Sequence, residues 1–175
     1  TQGVSSAASD VYKRQGSKCI VTGYFFLLKE ILMFKKILLA TDGSPLSDKA
    51  IKSTLQFAKE HGSKIVGVCV ATISPYFPLF GMEVVSGEFI DAITIEAGKN
   101  VGKISALARS MGVDAEVHVV EGSSASEEII KTAEKYHCDA IFMASHGKNG
   151  AEKLMLGSEA HKVLVLSKLP VMIFK

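Results

Sequence analysis

From Met33 onward the chain alternates short, continuous apolar runs with longer stretches in which apolar positions recur every three or four residues. The first kind suits strands buried on both faces; the second suits helices lying against them. Residues 36–41 (KILLAT) form the first run, which ends at Asp42-Gly43-Ser44-Pro45, a turn cluster that also starts a helix. From Leu46 the positions Ala50, Ile51, Leu55 and Ala58 keep helical spacing until Gly62 stops them. Residues 65–71 predict a second strand. Ile90, Ile93, Ala97, Val101, Ile104, Ala108 and Met111 mark a long second helix that Gly112 closes. Residues 115–120 predict a third strand. Ser124 and Glu127 have capping-box spacing at the start of a third helix that buries Ile129, Ile130 and Ala133. Residues 140–144 form a fourth strand, and 157–167 a fourth helix with Ala160, Val163 and Leu164 inward. Pro170 then opens a final strand over 171–174.

Alternating strands and helices, joined by right-handed crossovers, predict an α/β fold: one open, five-stranded parallel sheet with helices on both faces. In such sheets ligands bind beyond the carboxyl ends of the strands, where the strand order reverses. If the order is 3-2-1-4-5, that place is the pair of turns after strands one and four.

The whole chain has 20 basic and 18 acidic residues, and the segment before Met33 holds Lys13, Arg14, Lys18, Lys29, Asp10 and Glu30, leaving sixteen of each sign for the remainder. A neutral domain gives no electrostatic reason to expect nucleic acid or a charged membrane as partner. Cys19, Cys69 and Cys138 are far apart with no CxxC spacing, which implies neither a disulfide framework nor a zinc site. Such usage fits a reducing compartment, and a cytoplasmic location is expected.

Residues 1–32 stand apart from this pattern. Residues 5–15 read SSAASDVYKRQ, which resembles the in-frame translation of a transposon adapter used in preparing sequencing libraries. The segment is therefore read as a non-native, disordered extension and excluded from the fold. A targeting signal is the rival reading, because residues 20–28 are mostly apolar and follow basic residues. That run is too short to span a bilayer and has no small-residue cleavage pattern after it.

The turn after strand four, Ala144-Ser145-His146-Gly147-Lys148-Asn149-Gly150, is polar and glycine-bearing, and Gly157-Ser158 opens the next helix. Glycines let backbone approach a phosphate, and a helix N-terminus attracts anions. Ser158 adds a hydroxyl donor; Lys148 either adds charge or projects to solvent. The same residues read equally well as turn glycines and an ordinary helix start.

Here the sequence resembles the universal stress protein family, whose nucleotide-binding members carry G-x2-G-x9-G-[S/T]. This chain has Ala144-x2-Gly147-x9-Gly157-Ser158, with alanine in place of the first glycine. The opening KKILLATDGSPLSDKA, the strand IFMASHG, the segment GAEKLMLGSEAHKVL and the ending LPVMIF carry the resemblance from Phe34 to Lys175. It implies an adenine nucleotide α-hydrolase-like, Rossmann-like fold, ATP as ligand with Mg, and a homodimer paired through the last strand, 171–174.

The resemblance also implies the ligand-contacting positions. Asp42 stands where the family has a nucleotide-contacting aspartate, near the magnesium ion if one is bound; the alternative is that it caps helix one. Ala40 occupies an adenine-contacting position, Val70 flanks the base and Met143 lies beneath it, unless the latter two are simply core. Thr41, Ala144, His146, Gly147, Gly157, Ser158 and Glu159 complete the implied site. The long connection 73–87, with Tyr76, Phe77 and Phe80, is expected to cover that site or pack on the partner subunit.

His146 and His118 lack a sequence neighbour that would make a nucleophile-base or metal pair, and GxSxG, HExxH and G-x4-GK-[S/T] are absent. The expected function is therefore a nucleotide-binding regulatory or stress-response protein, not an enzyme. The alternatives are a family member that binds no ATP and acts through protein contacts, and a weak ATP hydrolase.

Overall fold

A computed structural model describes residues 34–73, 87–148 and 156–175. The amino-terminal extension with Cys19, the aromatics Tyr76, Phe77 and Phe80, and Asn149 and Gly150 lie outside the described residues. Residues 34–175 form one compact unit.

The elements follow the hydrophobic pattern. They are β1 (Lys36–Ala40), α1 (Pro45–His61), β2 (Lys64–Thr72), α2 (Gly87–Met111), β3 (Ala115–Gly122), α3 (Ala125–Lys135), β4 (Ala140–Ala144), α4 (Ser158–Leu166) and β5 (Val171–Phe174). All pairings are parallel. The sheet order is β3-β2-β1-β4-β5, so the order reverses between β1 and β4, as the sequence predicts.

The central strands β1, β2 and β4 are largely apolar because both of their faces are covered. Leu38, Ala40, Val66, Val68, Ile141 and Met143 face α3 and α4, meeting Ile129, Ala133, Ala160 and Val163. Ile37, Leu39, Ile65, Ala140 and Phe142 face α1 and α2, meeting Ile51, Leu55, Ile104 and Ala108. Gly67 in β2 is part of this second layer: a Cβ there would lie 2.9 Å from Ile104 Cδ1 and 3.0 Å from Val117 Cγ1, so the absent side chain is what lets α2 pack down. Asp139 fixes β1 beside β4 by accepting the backbone N–H groups of Lys35 and Lys36 at 2.7 and 2.8 Å.

Helix boundaries are set by local chemistry. Ser44 caps α1, its hydroxyl accepting from Ser47 N–H at 3.2 Å, with Pro45 in the first turn. Gly62 ends α1 in the left-handed region at φ 72°.

Three expectations need correction. Ser124 holds the N-cap position of α3, but its side chain makes no capping bond; its hydroxyl lies 3.1 Å from Ser126 Oγ, and the Ser126 N–H donates instead to Glu159 of α4 at 2.8 Å. A carboxylate from the neighbouring helix has replaced the local capping box. Leu164 is not inward: it is 47% exposed, because the buried stripe of the short helix α4 runs through Ala160 and Val163. Ile130 is only partly buried. Leu164 thus joins Val165, Leu166 and Met172 as exposed apolar side chains on α4 and the edge strand β5. Among the described residues no helix is long and apolar enough to cross a membrane.

Candidate functional site

At the carboxyl ends of β1 and β4 the sheet opens into a cavity of about 470 Å³, within the range of small-molecule and cofactor sites. All eleven positions singled out in the sequence, from Ala40 to Glu159, lie on its wall.

The β1 side is organised by hydroxyls and one carboxylate. Thr41 Oγ donates to Ser47 Oγ at 3.1 Å and accepts from Gly43 N–H at 3.2 Å. Gly43 sits at φ 77°, and a Cβ there would overlap the Asn100 amide of α2, whose Nδ2 donates to Asp42 O at 3.3 Å. The turn is therefore glycine by both conformation and space. The Asp42 carboxylate does not cap α1, since Ser44 does. Its Oδ1 accepts from Ser44 N–H at 3.0 Å and its Oδ2 from Lys148 N–H at 2.8 Å, tying the β1 turn to the β4 loop. Burial pushes its pKa up, but the hydrogen bonds from Ser44 and Lys148 outweigh burial and hold the carboxyl below its ordinary value.

The β4 side shows why its glycines are glycines. A Cβ on Gly147 would overlap Asp42 Oδ2. One on Gly157 would lie 3.1 Å from Ser145 O and 3.2 Å from His146 Cα, where the backbone of the α4 start crosses the end of β4. Gly157 N–H donates to Ser145 O at 2.8 Å, and Ser145 N–H to Phe174 O at 2.8 Å, so the loop is laced to the sheet. Ala144, where the family has glycine, is the last residue of β4, and His137 is the sole non-glycine with positive φ among the described residues. Alanine is unstrained there, and no glycine-only conformation is needed.

The first intrahelical bond of α4 is His161 N–H to Gly157 O, so the N–H groups of Ser158, Glu159 and Ala160 precede any intrahelical acceptor. Gly157 at the N-cap offers no side chain to occupy them. Glu159 itself is committed elsewhere, accepting from Ser126 N–H and from Lys162 Nζ, each at 2.8 Å. Burial pushes its pKa up, and those two donors more than compensate, leaving it lowered.

Between these polar rims lies an apolar floor of Ala40, Val68, Val70, Ile129, Met143 and Ala160. Val70 and Met143 each pack in the layer beneath α3 and α4 and also face the cavity. Lys148, read from sequence either as charge for the loop or as a solvent-facing side chain, is also on the wall, and Ser47, Thr72 and Ala125 are further wall residues not singled out from sequence. Ser47 alone had a readable signal, three residues after the cap Ser44. Thr72 and Ala125 come from strand and helix ends that only the folded sheet brings together.

His146 has a partner after all: its Nδ1 lies 3.0 Å from Ser145 Oγ. Ser145 is 2% exposed, so the pair buttresses the loop and does not present a nucleophile. His118 is half-buried on β3, its ring stacked on Tyr136 at 4.4 Å. Cys69 and Cys138 are buried, and burial pushes the Cys138 thiol up to about 11. Among the described residues no three of His, Cys, Asp and Glu converge as a metal cluster.

The profile of the universal stress protein family matches residues 33–175 of this chain. Universal stress protein YxiE of Bacillus subtilis is 36% identical over 149 residues, spanning 82% of this chain and 100% of that protein. Among solved structures, the protein MJ0577 of Methanocaldococcus jannaschii is similar with a TM-score of 0.70 at 30% identity, over 82% of this chain and 97% of that one. A universal stress protein of Archaeoglobus fulgidus, in complex with dAMP, shares the fold with a TM-score of 0.58 at 18% identity, over 82% of this chain and 99% of its own.

Proposed function

This chain belongs to the universal stress protein family, and from that premise we propose that the cavity between β1 and β4 binds ATP and that its occupancy regulates a cytoplasmic, homodimeric stress-response protein. The observation that carries this reading is the convergence on one cavity of Asp42, Gly147, Gly157 and Ser158, above an apolar floor sized for a planar base. The base lies between Val70 and Met143, and the phosphates lie at the start of α4, where backbone N–H groups and the Ser158 hydroxyl act as donors. The dAMP complex of the Archaeoglobus fulgidus protein suggests the adenine class of ligand to test. Regulation, not catalysis, is the role proposed, since the serine of the serine–histidine pair beside the cavity, Ser145 with His146, is buried. Function is assigned to residues 33–175.

Magnesium fits this arrangement as a companion of the nucleotide. It binds through one or two carboxylates plus phosphate oxygens, and each Asp42 oxygen accepts a single backbone N–H, leaving acceptor capacity on both. Asp42 would hold the ion, directly or through water, and the ion would neutralise phosphate charge.

The partner is a second copy of this chain, paired along the edge of β5. That edge, with Val165, Leu166 and Met172 exposed beside it, is an apolar sheet margin of the kind that oligomers cover. Light scattering at micromolar concentration is expected to give a dimer, and the double variant Val165→Asp, Met172→Asp a monomer. A monomeric wild type would refute the assembly. For the ligand, ATP at a hundredfold excess over its Kd is expected to raise the unfolding free energy by about 2.7 kcal/mol, seen as a melting shift. No shift with ATP, ADP or AMP, with or without Mg²⁺, would sink the nucleotide reading.

A further inference from the structure

Among the described residues the wall of the cavity is poor in positive charge. Among the described residues it carries two carboxylates, Asp42 and Glu159, and a single lysine or arginine, Lys148. That lysine is held twice. Its backbone N–H donates to Asp42 Oδ2 at 2.8 Å, which fixes its Cα at the rim of the site. Its ammonium is turned away to α2, where it donates to the carboxylate of Glu96. With Lys148 neutralised by Glu96, the wall has, among the described residues, no free lysine or arginine side chain to meet a polyphosphate, although a helix N-terminus and hydroxyls suffice for a small anion.

The pair with Glu96 is easily exchanged. The side chain of Glu96 is 61% exposed and that of Lys148 48%, so water screens their attraction and either can leave at small cost. A lysine is a compact charge on a flexible four-carbon stem, able to swing while its Cα stays fixed. We propose that Lys148 is a specificity-determining residue that exchanges Glu96 for the terminal phosphates of a nucleoside triphosphate, so that the Glu96–Lys148 pair sets how strongly this site prefers triphosphate over monophosphate. The proposal rests on the nucleotide reading of the cavity. The charge-assisted bond to phosphate forms only when the ligand extends past its first phosphate; adenosine and AMP leave the ion pair closed.

Titration calorimetry with adenosine, AMP and ATP, each with EDTA and with Mg²⁺, tests it on the full chain. Lys148→Met is expected to lower ATP affinity about tenfold, the worth of one charge-assisted hydrogen bond, and to change AMP and adenosine affinity less than about twofold. Glu96→Gln, on an exposed helix face outside the cavity wall, is expected to raise ATP affinity about two- to fivefold by freeing the lysine, again without moving AMP. Binding of all three ligands with an unchanged ATP-to-AMP ratio in both variants overturns the inference and leaves the nucleotide site standing. Failure of the wild type to bind any of the three overturns both.

Discussion

Gly157→Val is expected to abolish nucleotide binding, with an affinity loss of more than about a hundredfold, or roughly 3 kcal/mol, in a protein that still folds. Conformation is not the reason, since Gly157 has φ −61° and ψ 150°, which any residue adopts. The reason is contact. The Cβ would press on Ser145 O and His146 Cα at 3.1 and 3.2 Å, both backbone atoms of the loop leaving β4, and a valine adds two methyl groups to that position. Either the loop or the first turn of α4 must shift, and these are the two surfaces that would hold a phosphate. Overpacking of this kind costs about 1–3 kcal/mol of stability, so the melting temperature falls while the sheet persists. Gly157→Ala, with one carbon at the same contact, should lie between. Isothermal titration with ATP on wild type and both variants checks the order; wild-type affinity in the valine variant would remove Gly157 from the site.

Much of this architecture was legible because both faces of every central strand are buried. Residues 36–41 and 140–144 have no polar alternation to misread, and the stripes of α1 and α2 are long enough for the period of 3.6 to dominate. The stripe of α4 is not. In nine residues, Leu164 fits an inward pattern as well as Val163 does, yet the helix buries Ala160 and Val163 and leaves Leu164 exposed.

The candidate site divides in the same way. Asp42, Gly147 and Gly157 were legible as turn chemistry and as matches to a spaced motif, and the fold brings all of them to one cavity. The reasons for them are long-range and were not legible: Gly147 is glycine because the Asp42 carboxylate, 105 positions earlier, lies against it. Ser124 and Glu127 have the spacing of a capping box, yet Glu159 from another helix reaches the N–H of Ser126. Lys148 with Glu96, and Asn100 behind Gly43, likewise depend on α2 crossing the turn, which no local pattern encodes. The substitution at Ala144 weakens the match to the family motif more than it alters the backbone, which is an ordinary strand end there.

Removing the Asp42 carboxylate is expected to have the second large effect, on stability and ligand affinity together. In Asp42→Ala the N–H groups of Ser44 and Lys148 lose their acceptor, at about 1–3 kcal/mol for each that stays dry. Lys148 is exposed and its N–H regains water, so the total should be about 2 kcal/mol, or a fall in Tm of roughly 4–8 °C for a domain of this size. Asp42→Asn does not rescue it, because an amide offers one acceptor and turns its own donor toward the other N–H. The pH dependence identifies the cause. Folding lowers the pKa of Asp42 below its ordinary value of 3.8, so the unfolded chain binds the proton more readily than the folded one. The stabilisation from the carboxylate is therefore complete above that ordinary value and is lost as pH falls through the folded pKa. Urea denaturation should show a constant gap between wild type and Asp42→Ala from about pH 7 to pH 5 that narrows toward about pH 2. A gap that stays the same down to the lowest pH would mean that the charge of Asp42 contributes nothing, and that the β1 turn and β4 loop are joined by packing alone.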